Sequence, residues 1–112
     1  MTRDDKRAAF ETAVAGFDDL AIKGKAMPYT AMNGNMFAFL AQDDTLAFRL
    51  SEENREAFEI EHGPSVVRQH GSVMRGYVAL PDSLIADEKA LSALFAQSVA
   101  FARTLKPKPT KR

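Results

Sequence analysis

Cysteine and tryptophan are absent from this 112-residue chain, and histidine occurs only twice. Without cysteine the protein has no disulfide, no thiolate nucleophile and no sulfur ligand for zinc or an iron–sulfur cluster. The two histidines, His62 and His70, stand eight residues apart, a spacing that does not bring two ligands together on one helix or strand. The sequence therefore predicts neither a metal site nor a cofactor.

Net charge and long apolar runs are missing as well. Fifteen basic side chains balance fifteen acidic ones, so no overall field draws the protein onto nucleic acid or a membrane. No apolar run approaches the roughly 18 residues of a transmembrane helix. The charged start MTRDDKRAAF lacks the apolar core of a signal peptide. We expect a cytoplasmic protein with no membrane partner and, from its length, a single domain.

Groupings typical of catalysis are also missing. The chain contains no GxGxxG motif, no P-loop and no evident pairing of a nucleophile with a base. Its glycines at 24, 34 and 63 are explained by turns and helix ends. We therefore expect that the protein is not an enzyme.

The strongest positive signal is a pair of successive hairpins between Tyr29 and Leu50. Asn33-Gly34 separates two apolar runs, and this dipeptide suits a two-residue turn because both central residues need a positive φ. Asp43-Asp44 separates a second pair of runs. The pattern predicts strands over 29–32, 35–41 and 45–50. The strand at 35–41 is apolar on both faces, which is typical of a central strand or of a surface that pairs with a second copy.

Helical periodicity flanks these strands. Apolar residues recur every three or four positions over 4–17, where Asp4 or Asp5 is the candidate cap, and over 88–104. Ser51 is placed to cap a further helix over 52–61, which Gly63-Pro64 ends. Residues 64–72 resemble a loop or a poor strand, and 73–80 the last strand.

The element order predicts an α+β fold. We expect one domain over 1–105, with an antiparallel sheet of at least four strands and with the N- and C-terminal helices packed on one face. A basic, proline-containing tail over 106–112 follows, because Pro107 and Pro109 cannot continue a helix.

Cationic residues on the predicted sheet suggest a binding surface. If strands 45–50 and 73–80 join one sheet, Arg49, Arg75 and Tyr77 project from the face opposite Phe48 and Val78. Cations beside an aromatic ring suit contacts with phosphates and bases, and further cations extend the patch. The pattern is also typical of an ordinary polar sheet face. The candidate nucleic-acid contacts are Arg49, Arg75, Tyr77, Arg68, Lys106 and Lys108.

The chain resembles small bacterial proteins of the TfoX/Sxy N-terminal-domain type, over residues 23–112 and in the runs KGKAMPYTAMNGNMFAFL, LAFRLSEENREAF, HGSVMRGYVALPDSLIAD and SVAFARTLKPKPTKR. These proteins belong with YjbR-like and frataxin-like folds, so the resemblance implies a compact α+β domain. The family takes its name from regulators of competence. YjbR-like relatives have been proposed to bind DNA through an exposed sheet and loops. The resemblance implies no catalytic residues.

These observations favour a non-enzymatic regulatory or binding module that associates with nucleic acid, with a protein partner or with a second copy of itself. The balanced charge predicts weak nucleic-acid binding that falls as salt rises. The alternative is a small-molecule-binding protein with a pocket between helix and sheet, in which Tyr29, Tyr77 and His70 supply polar contacts. A flat basic face favours the first function, and a deep apolar pocket with convergent polar groups favours the second.

Overall fold

A computed structural model describes residues 1–107 as ten helices and strands. In chain order they are α1 (Arg3–Ala15), β1 (Tyr29–Met32), β2 (Asn35–Leu40), β3 (Leu46–Arg49), α2 (Glu52–His62), β4 (Arg68–Gln69), β5 (Ser72–Val73), β6 (Tyr77–Ala79), α3 (Asp82–Ile85) and α4 (Glu88–Ala102). None of the helices in this part of the chain is long and apolar enough to cross a bilayer.

A capping box starts helix α1. The Thr2 hydroxyl accepts a hydrogen bond from the Asp5 amide at 3.1 Å, and the Asp5 carboxylate accepts one from the Thr2 amide at 3.0 Å. The bond from the Thr2 amide to the carboxylate is the main reason that the pKa of Asp5 lies below its usual range. The prediction that Asp4 or Asp5 is the cap is therefore wrong, because Asp5 is the reciprocal partner of Thr2 inside the first turn. Ser51 caps α2 as predicted, and the Asp87 side chain caps α4.

The main sheet has the order β1-β2-β3-β6, with antiparallel neighbours throughout. The predicted Asn33-Gly34 turn is confirmed, with φ values of 52° and 81°. A bulge in β2 follows, since Thr30 pairs with Ala38 but the next residue of β1 pairs with Met36. The extra residue is Phe37, and both Phe37 and Ala38 are buried in the core beneath the helices.

The main core lies between this sheet and the helices α1 and α4. Phe95 of α4 is at its centre, with ring centroids 5.2 Å from Phe48, 5.9 Å from Phe37 and 5.7 Å from Phe17. Offset and edge-to-face contacts of this kind add to the burial energy of each ring. The predicted α+β architecture, with its terminal helices on one face, is confirmed.

A second apolar layer covers the opposite face of the sheet. Phe39, Ala47 and Tyr77 form its base, and Val67 and Met74 from the segment before β6 pack over them. Strand β2 is therefore interior and covered on both faces within one chain. Of the two alternatives for strand 35–41, the covered central strand is the one observed, because Phe37, Phe39 and Leu40 are fully buried in the chain itself.

The last predicted strand, 73–80, is divided. Only Tyr77–Ala79 joins the main sheet, while Ser72–Val73 pairs with Arg68–Gln69 in a separate two-stranded hairpin. Gly76 has a φ of 85°, and this left-handed conformation breaks the strand between the two pieces. As a result Met74 packs in the second layer and Val78 in the main core, although the period-2 pattern predicts one face for both.

Candidate nucleic-acid interface

Arg49, the last residue of β3, is fixed by contacts from helix α4. Its backbone carbonyl accepts a hydrogen bond of 2.6 Å from the buried Ser98 hydroxyl. Its guanidinium carbon lies 5.5 Å from the centre of the Phe101 ring, in a cation–π arrangement. The side chain is half-buried, so its orientation is set by packing rather than by solvent.

The Arg49 guanidinium has no anionic partner among residues 1–107. It forms none of the ion pairs present there, and its Nε is buried without an acceptor. Gly76 flanks it, since a Cβ atom at that position would lie 3.5 Å from Nε. A buried, unpaired donor on a cation costs free energy that an anion at this position would offset.

Tyr77 is placed on the predicted face of the sheet, but its side chain is only 6% exposed. The phenol donates a hydrogen bond of 2.7 Å to the Met36 carbonyl, and the ring lies 5.2 Å from that of Phe39. Burial raises the pKa of Tyr77 to about 12, with a smaller opposing effect from the Arg49 charge. The prediction that Tyr77 projects freely from the sheet face is wrong, because the second apolar layer covers it.

Arg75 and Arg68 lie outside the main sheet. Arg75 is exposed in the link between β5 and β6, and Arg68 is exposed in β4. The prediction that Arg75 lies on a sheet strand beside Arg49 is therefore wrong. The hairpin that carries Arg68 turns at His70 and Gly71, which have φ values of 52° and 79°. Glycine at the second position of a two-residue turn was the available signal, but His-Gly is a weaker indication than Asn-Gly.

Three of the predicted cations lie at the same end of the main sheet. Strand β2 begins and β3 ends there, and β6 begins there, because neighbouring strands are antiparallel. The Asn35 side-chain amide at the start of β2 donates to the Lys106 carbonyl at 2.9 Å, and Lys106 itself is exposed. Arg75 precedes Gly76, where an added Cβ atom would lie 3.5 Å from the Arg49 Nε. We call this group, Arg49, Arg75 and Lys106, the cationic end; Lys108 lies outside the described residues.

Concave surfaces on residues 1–107 bear on the alternative function, and neither of the two that we compare gathers its three polar residues. One of them, an open groove of about 550 Å³, lies between helices and has the alanines of α1 in its lining. Of the three predicted pocket residues, Tyr77 lines a separate cleft beside α2, while Tyr29 and His70 line neither surface. No three histidine, aspartate or glutamate side chains within residues 1–107 converge as metal ligands.

The protein is a small α+β domain that carries the cationic end at one terminus of its main sheet. A family model, the TfoX N-terminal domain, matches residues 30–102, about two thirds of the chain. The chain belongs to the TfoX N-terminal domain family, as its resemblance implied. The match runs from β1 to the last residue of α4 and leaves α1 outside it. Neither curated proteins nor solved structures provide a match to the chain.

Proposed function

We propose that this protein is a non-enzymatic regulatory module that works by association, and that nucleic acid is the partner its cations recognise. The observation that carries the proposal is Arg49, a half-buried guanidinium held by Phe101 with no anionic partner among residues 1–107. Phosphate oxygens are the natural acceptors for such a group. Arg75 and Lys106 at the same end of the sheet supply further phosphate contacts, and Arg68 on the projecting hairpin supplies another.

Membership of the TfoX N-terminal domain family supports a regulatory module. The balanced overall charge limits the affinity, since no long-range field adds to the local contacts. If the three residues of the cationic end each neutralise one phosphate of duplex DNA, the salt slope is near three. Binding then falls about fortyfold between 50 and 200 mM salt. The interaction is therefore expected at low salt and micromolar protein.

The test is fluorescence anisotropy with labelled duplex and single-stranded DNA. Replacing Arg49 and Arg75 together, R49Q/R75Q, should weaken binding and reduce the salt slope by about two units. The matched control is R7Q, because Arg7 is an exposed arginine on α1 that pairs with Glu11. The same affinity in R49Q/R75Q and R7Q would overturn the proposed interface. No binding by the intact protein would leave association with a protein, including a second copy, as the remaining form of the proposal.

A further inference from the structure

A cleft of about 330 Å³ lies between helix α2 and the segment that carries the β4–β5 hairpin. Its base is formed by Val67 and Tyr77, which belong to the second apolar layer and are almost fully buried. Its size lies within the range of small-molecule sites. This cleft is separate from the cationic end in all but Arg75, which borders both.

Two guanidinium groups and one carboxylate line the cleft. Arg55 lies 3.5 Å from Glu59, one helical turn later, and both side chains are about 30% exposed. Glu59 also accepts a hydrogen bond of 3.3 Å from the Ser65 amide, so it anchors the loop after α2. With Arg75 as the second cation, the lining has an excess of positive charge. Arg55 makes only one long contact with Glu59, so it retains donors for an anion.

The rim of the cleft is apolar and open to solvent. Val66 and Val73 are 61% and 49% exposed, and both line the cleft. They are two of only four large hydrophobic side chains that residues 1–107 leave this exposed. Exposed aliphatic groups next to arginines that retain free hydrogen-bond donors favour a ligand that has both an apolar part and an anionic part.

We propose that this cleft binds a small carboxylate with a branched aliphatic body. The carboxylate lies against Arg55 and Arg75, where bidentate guanidinium contacts are available. The aliphatic body lies on Val66 and Val73, so that their exposed surface is removed from water. This inference goes beyond the proposed function, because its ligand and its readout differ from those of nucleic-acid association and only Arg75 takes part in both.

The probe is 4-methylpentanoate, titrated into the isotope-labelled full chain and followed by backbone amide chemical shifts. We expect saturable shifts confined to Ser65, Val66 and the stretch 73–77, with millimolar affinity, as suits a ligand of this size. Acetate lacks the aliphatic body and 4-methylpentanamide lacks the charge, so each should bind at least about tenfold more weakly. Shifts that do not saturate, or that scatter over the surface, would overturn the site.

Variants separate the contributions of the two parts of the ligand. R55Q should weaken binding of 4-methylpentanoate about tenfold, while R7Q, which alters the equivalent arginine of the Arg7–Glu11 pair, should leave it unchanged. V66A tests the apolar rim without touching the ion pair and should weaken binding severalfold. Unchanged affinity in both R55Q and V66A would contradict the proposal. R55Q should leave DNA anisotropy unaffected, so the failure of either proposal is recognisable without the other.

Discussion

The hydroxyl oxygen of Ser98 lies 2.6 Å from the carbonyl oxygen of Arg49 and 3.3 Å from that of Phe37. Ser98 is fully buried on α4, so this one group ties the helix to β3 and to the bulge in β2. The substitution S98A removes the hydroxyl donor and leaves these buried carbonyl oxygens without that hydrogen bond. We expect the free energy of unfolding to fall by about 1–3 kcal/mol in urea denaturation. S92A, an exposed serine on the same helix, should change it by less than about 0.5 kcal/mol, and equal losses in the two variants would contradict this role.

The raised pKa of Tyr77 predicts a stability loss at alkaline pH. Its value in the folded protein is about 12, against 10.0 for an unperturbed tyrosine. The folded state therefore retains the proton longer than the unfolded state. The contribution of Tyr77 to the free energy of unfolding is therefore complete below about pH 10 and is lost as the pH rises to about 12. The total loss is about 2–3 kcal/mol. Urea midpoints measured at about pH 9 and pH 11 would show the decline.

The variant Y77F isolates this effect. Its free energy of unfolding at neutral pH should be lower by about 1 kcal/mol, because the Met36 carbonyl loses its donor. The part of the alkaline decline that comes from Tyr77 should be absent from this variant. Y29F retains Tyr77 and should keep that decline. The same slope of stability with pH in Y77F and the unmodified protein would show that Tyr77 does not titrate as described.

Phe95 should be the most sensitive position of the main core. It is fully buried and contacts the rings of Phe48, Phe37 and Phe17. F95A leaves a large cavity and should destabilise the protein by about 3–5 kcal/mol, whereas F95L, which retains most of the volume, should cost markedly less. Thermal denaturation of both variants checks this order. F17A should cost less than F95A, because Phe17 is only partly buried; the reverse order would contradict the central place of Phe95.

Arg3 should stabilise the attachment of α1 more than an ordinary surface arginine does. Its guanidinium donates to the Asp44 carboxylate at 2.8 Å and to the Ala26 carbonyl at 2.7 Å, and it also bonds the Ala41 carbonyl. R3M removes these bonds and should cost about 1–2 kcal/mol. R7M breaks only an exposed pair on the same helix and should cost less than about 0.5 kcal/mol. Equal urea midpoints for the two variants would show that the Arg3 bonds add no stability.

The local signals of the sequence predicted most of the fold. The Asn33-Gly34 turn and the Ser51 cap each depend on a few neighbouring residues, and both are confirmed. The short helix α3 was missed, because four residues carry no helical period. The two-stranded hairpin β4–β5 was missed, because it consists of two pairs of residues around a His-Gly turn.

The candidate interface was harder to predict than the fold. Placing Arg75 and Tyr77 on one exposed face required an unbroken strand, and Gly76 interrupts it. Whether that face is open depends on Val67 and Met74, which fold back from a segment with no periodic pattern. The contact between Arg49 and Phe101 joins residues far apart in the sequence, so no local spacing indicates it.

The sheet divides the apolar interior into two compartments, one on each face of the same strands, with few side-chain contacts between them. Phe95 belongs to the compartment beneath the helices, and Val67 to the one beneath the hairpin segment. Substitutions in separate compartments should therefore have nearly additive energies, whereas those within one compartment should be coupled. The segment 64–76 can thus diversify in sequence without disturbing the packing of α1 and α4. Changes in that segment would alter the face of the sheet that carries the hairpin and leave the helical layer as it is.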